Sequence, residues 1–77
     1  VKNYHLISAR AGKGFTQSDV ATLMGCSKQT IGNWENNKSI PDVVEALKLA
    51  DFLGKTVEEL FSGQKIQENR TKIKSTA

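Results

Sequence analysis

Three amide side chains, Gln29, Asn33 and Asn36, recur at spacings of four and three in the stretch KQTIGNWEN, which also carries the apolar Ile31 and Trp34. At about 100° per residue, a helix that turns Ile31 and Trp34 inward presents the three amides on its opposite side, with Lys28 and Thr30 on the flanks. An amide offers a donor and an acceptor together, which matches N6 and N7 of adenine in the major groove of DNA. Exposed helix faces are commonly polar, so the amides acquire meaning only from the elements that position them.

Those elements are a preceding helix and a tight turn. Thr16 predicts an N-cap with Asp19 as the acidic partner of a capping box, and Val20, Ala21 and Met24 share one face of the helix that follows. Gly25 ends that helix in a conformation with positive φ, Cys26 supplies a small apolar group suited to burial, and Ser27 caps the next helix. Two helices joined by a turn of about four residues containing glycine form the helix-turn-helix arrangement, whose second helix lies in the major groove.

Other chemistries find little support. The 77 residues hold one cysteine and one histidine, Cys26 at the turn and His5 in the first predicted helix, with no metal-ligand spacing and no glycine-rich phosphate loop after a strand. The sequence therefore predicts no enzyme, no metal and no cofactor. A single cysteine fits a reducing, cytoplasmic setting, and no window is apolar enough for a membrane span. The net charge of +3 is unevenly placed. Residues 1–40 carry Lys2, Arg10, Lys13, Lys28 and Lys38 against Asp19 and Glu35. Residues 41–63 carry Lys48 and Lys55 against Asp42, Glu45, Asp51, Glu58 and Glu59. A basic front and an acidic back orient a domain towards a polyanion.

The remaining chain predicts three more helices and no strand. Residues from about Asn3 to Ala11 form the first, with Arg10 on the side of Leu6. Asn37 to Pro41 is a loop in which Asn37 tolerates left-handed φ. Either Asp42 caps the fourth helix, with Glu45 completing a box, or Pro41 is already its first residue. That helix places Val43, Ala46, Leu47, Ala50 and Leu53 on one stripe, with Leu49 and Phe52 beside it, and stops at Gly54. Thr56 and Glu59 cap a short last helix with Val57, Leu60 and Phe61, closed by Gly63. The apolar surplus of the last two helices either widens the core or pairs with a second copy. Residues 1–63 thus form one all-α domain, and residues 64–77 read as a basic, flexible tail.

In order, these features resemble the helix-turn-helix domain of the phage repressor and Cro family, also called the XRE family. The matching residues are Arg10, the GFTQ of Gly14 to Gln17, Val20, Ala21, Gly25, Ser27, Ile31, the WEN of Trp34 to Asn36, Pro41, the KLADFLG of Lys48 to Gly54, and the closing VEELF. The resemblance implies a compact five-helix, lambda-repressor-like fold and a cytoplasmic bacterial or phage regulator, a repressor that binds operator DNA as a homodimer. By the same resemblance, Gln17 meets the DNA backbone at the start of the second helix. Ser27, Lys28, Gln29, Thr30 and Asn33 reach bases or nearby phosphates, and Asn36, Lys38 and Ser39 meet the backbone from the following loop. Arg10 and Glu35 match a structural pair joining the first helix to the end of the third. Two departures stand out. Asn37 occupies a place where the family often has glycine, and Gly32 lies inside the recognition helix, where it costs roughly 1 kcal/mol against alanine. Gly32 either lets the backbone approach DNA closely or is simply tolerated. The alternative function is an antitoxin or other protein-interaction module built on the same motif, with a protein partner.

Overall fold

Every helix in the described chain begins on a side-chain oxygen. The computed structural model describes residues 1–62, so Gly63 and the tail 64–77 lie outside the described residues. The helices are α1 (Tyr4–Gly12), α2 (Gln17–Met24), α3 (Lys28–Glu35), α4 (Val43–Leu53) and α5 (Val57–Leu60), with no strand among the described residues. Their N-caps are Asn3, Thr16, Ser27, Asp42 and Thr56, each accepting the backbone N–H three residues on. Thr16 with Asp19, Asp42 with Glu45 and Thr56 with Glu59 complete reciprocal capping boxes. Asp42 is therefore the cap of α4, and Pro41 precedes it, buried. In the last box, the Thr56 backbone N–H holds the Glu59 carboxyl below its ordinary pKa. That cap is complete at neutral pH and loosens as pH falls through the lowered value.

Helices this short are marginal alone, and burial against one another holds them. α2 packs on α3 and α4, α5 packs on α1 and α4, and α1 also touches α3. One core collects Leu6 and Ala9 from α1, Val20 and Ala21 from α2, Ile31 and Trp34 from α3, Ala46, Leu49, Ala50 and Leu53 from α4, and Leu60 of α5 with Phe61 at its C-cap. Phe15, Met24, Cys26 and Val57 pack against it, partly buried. Phe15 stands just before the Thr16 cap, where a hydrophobic staple is expected, and Val20 at the fourth helical position belongs to the core it rests on. Among the described residues no helix is long and apolar enough to cross a membrane.

The stripe of α4 differs from the expected one. Leu49, expected beside the stripe, is 1% exposed, while Leu47, expected on it, is 56% exposed. Ala46, Leu49, Ala50 and Leu53 follow the i, i+3, i+4, i+7 rule, and α4 is gripped by α2 on one side and α5 on another, which turns its inward face towards Leu49. Leu60 and Phe61 are buried, so the surplus of α5 widens the core, whereas Val44 and Leu47 face solvent on α4. Leu49→Ala should cost about 2–5 kcal/mol in urea denaturation. Leu47→Ala should stay within about 0.5 kcal/mol of the parent.

Candidate nucleic-acid interface

The turn between α2 and α3 is set by Gly25, which ends α2 at φ 74° and ψ 33°, a left-handed conformation that costs a residue without a Cβ little. The Gly25 N–H donates to Thr22 O at 3.2 Å and the Cys26 N–H to Ala21 O at 3.0 Å, closing α2. Ser27 then starts α3. Its Oγ accepts the Thr30 N–H at 3.1 Å and lies 3.0 Å from the Thr30 hydroxyl. Cys26 rests against the core, and burial, followed by the nearby Glu45 charge, pushes its thiol above the ordinary value. A thiol held protonated is a poor nucleophile, which fits a structural role at the turn.

The far end of α3 is held by a buried carboxylate. Arg10 Nε donates to Glu35 Oε2 at 2.6 Å and Arg10 Nη2 to Glu35 Oε1 at 3.3 Å, while Arg10 Nη1 donates to Phe15 O at 2.9 Å. Gln17 Nε2 adds a bond to Glu35 Oε1 at 2.9 Å. The Glu35 side chain is 4% exposed and that of Arg10 17%. α1, the start of α2 and the end of α3 thus meet on one charge-assisted network, and the expected structural pair of Arg10 and Glu35 is present.

With Ile31 and Trp34 in the core and Glu35 on Arg10, the rotation of α3 is settled. Lys28, Gln29 and Asn36 are exposed, and Thr30 and Asn33 are half-buried. The amide side chains of Gln29, Asn33 and Asn36 bond to none of the described residues, whereas Gln17 spends an amide N–H on Glu35. Gln17 is half-buried, and its side chain braces the inside of the fold through that bond. After α3 the chain turns at Asn37, whose φ of 60° is the left-handed value expected for it. The Lys38 N–H donates to Asn33 O at 2.8 Å and the Ser39 N–H to the same oxygen at 3.4 Å, which folds the loop back on α3 and leaves Asn36, Lys38 and Ser39 exposed together. A Cβ built on Gly32 meets only Gln17 Nε2, at 4.0 Å, so nothing inside the described residues requires glycine there.

Asn3 escaped the sequence reading as a fixed point. It is buried, its Oδ1 accepts the Leu6 N–H at 3.1 Å, its Nδ2 donates to Leu60 O at 2.9 Å, and its backbone N–H donates to Glu35 O at 2.8 Å. The available signal was an asparagine three residues ahead of Leu6, a cap pattern; the long-range bonds leave no local trace.

Comparison with known proteins gives a consistent set of relatives. The family described as helix-turn-helix matches residues 6–60. The HTH-type transcriptional activator BcrR of Enterococcus faecalis is 31% identical over 77 residues, covering 94% of this chain and 38% of that protein. The prophage-derived HTH-type transcriptional regulator YonR of Bacillus subtilis is 32% identical over 62 residues, covering 80% and 57%. The chain thus spans less than two thirds of either relative. The crystal structure of the restriction-modification controller protein C.AhdI from Aeromonas hydrophila superposes with a TM-score of 0.69 at 32% identity, covering 77% of this chain and 89% of that one.

Two stability outcomes follow from this geometry. Glu35→Ala strands the Arg10 guanidinium and the Gln17 amide and should cost about 3 kcal/mol in denaturant unfolding. Gly32→Ala has room for its methyl group and should raise stability by about 0.5–1 kcal/mol in the same assay.

Proposed function

The chain belongs to the XRE-type helix-turn-helix family of transcriptional regulators, and on that premise we propose that it is a sequence-specific DNA-binding repressor. It acts in the cytoplasm as a homodimer on an inverted-repeat operator, without enzymatic activity of its own. The observation that carries this reading is the division of labour on α3: Ile31, Trp34 and Glu35 are buried, and the amides of Gln29, Asn33 and Asn36 are left uncommitted by the described residues.

Gln29 and Asn33 read base edges in the major groove, flanked by Lys28 and Thr30. Ser27, Asn36, Lys38 and Ser39, with the start of α2 at Gln17, hold the phosphate backbone and set the register. In a dimer, two recognition helices enter successive major grooves about 34 Å apart. Tyr4, Leu23 and Ile40 are exposed as well, but Val44 and Leu47 stand exposed on one helix, α4, and these two are the apolar side chains assigned to the second copy. BcrR is described as an activator, and this chain matches 38% of it. Occlusion of polymerase needs only a DNA-bound domain, so repression is the mode proposed.

Selection from a random duplex pool tests the reading. The parent chain should enrich an inverted repeat, and Gln29→Ala should lose preference at one base of each half-site, worth about 1–3 kcal/mol of discrimination. Lys38→Ala should weaken binding to all duplexes and reduce its salt dependence. Equal loss on every sequence for Gln29→Ala contradicts its base-reading role, and enrichment of nothing by the parent moves the function to a protein partner.

A further inference from the structure

The first three residues pass the end of the recognition helix and are tied once to the helix and once to the loop that follows it. The Asn3 N–H donates to Glu35 O at 2.8 Å, and Asn37 Nδ2 donates to Val1 O at 2.9 Å. Asn3 is itself immobilised by its bonds to Leu6 and Leu60. Lys2 lies between these two anchors, exposed, and so stands beside the loop that carries Asn36, Lys38 and Ser39. The Glu35 carboxylate, the acidic group closest in sequence to that loop on its α3 side, is already committed to Arg10 and buried. Among the described residues Arg10 and Glu35 form the one ion pair, so the charges of Lys2 and Lys38 are not offset by a paired acid.

Asn37 supplies the second of these anchors. Glycine would hold the left-handed turn at φ 60° equally well, but it carries no side chain to reach Val1 O. The residue that departs from the common family pattern is therefore the one that ties the N-terminal segment to the loop.

We infer that Lys2 is a phosphate-binding residue. With Lys38 it forms a two-lysine clamp on the DNA backbone at the end of α3, and Asn37 is the positioning residue that holds Lys2 in place. The inference rests on the DNA-binding reading above and adds to it a contact from outside the helix-turn-helix.

Fluorescence anisotropy of the whole chain on two labelled duplexes, the selected inverted repeat and a scrambled one, across a salt series, tests it. Lys2→Ala should weaken binding to both duplexes roughly 5- to 10-fold at about 0.1 M salt and lower the slope of log K against log salt by about 0.9 for each bound chain, which is about 1.8 for a dimer. Lys2→Arg should keep affinity and slope near the parent values, and Lys48→Ala, exposed on α4, should leave both unchanged. Asn37→Gly should weaken binding in the same way, and adding Lys2→Ala to it should cost less than Lys2→Ala does alone. Parent-like affinity and slope for Lys2→Ala, with Lys38→Ala impaired, overturns this inference while leaving the DNA-binding reading standing. A full additional loss from Lys2→Ala in the Asn37→Gly background overturns the positioning role of Asn37. Absence of binding by the parent to either duplex overturns the DNA-binding reading and this inference with it.

Discussion

The constraint on which the rest depends is the buried carboxylate of Glu35. It accepts two bonds from Arg10 and one from Gln17, and the carbonyl of the same residue accepts the Asn3 N–H. Taking a charge out of water costs several kcal/mol, and a buried pair is a poor way to gain stability for its own sake. What it enforces is geometry. An eight-residue helix with a glycine in its middle has little reason of its own to exist or to hold one rotation about its axis. Ile31 and Trp34 draw it to the core, and Glu35 admits only the rotation that meets Arg10.

From that rotation the surface chemistry follows. The polar groups near α3 divide into those with hydrogen bonds inside the fold and those without. Arg10, Gln17, Glu35, Ser27 and Thr30 bond one another or backbone, whereas the amides of Gln29, Asn33 and Asn36 bond none of the described residues. The loop after α3, folded back by Asn37 and by the bonds to Asn33 O, sets exposed Lys38 and Ser39 next to that amide face, and the N-terminal segment brings Lys2 to the same edge. Base-reading groups bordered by backbone-holding cations are what a major-groove reader requires.

Local chemistry was legible in the sequence and long-range choice was not. The boxes Thr16–Asp19 and Thr56–Glu59 each lie within four residues, so residue type and spacing suffice to place the starts of α2 and α5. For α4 they left Asp42 as cap and Pro41 as first residue both open, and the structure has Asp42 as the cap. Gly25 and Asn37 were readable because few residues accept positive φ. The face of α4 was less so: Leu47 and Leu49 are the same residue type at nearby angles, and only the placement of α2 and α5 decides that Leu49 is buried. The bond from Asn3 to Leu60 O spans 57 positions, and that from Asn37 to Val1 O spans 36. Arg10 with Glu35 was readable by resemblance, yet the diversion of Gln17 onto the same carboxylate was not, because an amide suits a phosphate and a carboxylate equally well.

The most direct test of the α3 face is a nitrogen–proton NMR titration of the chain with a duplex, following the side-chain amide resonances. The account predicts that the NH2 signals of Gln29, Asn33 and Asn36 shift most, together with the backbone amides of Lys38 and Ser39, while those of α5 stay in place. Unmoved amides on α3, with the shifts gathered instead around Val44 and Leu47 on α4, would contradict it.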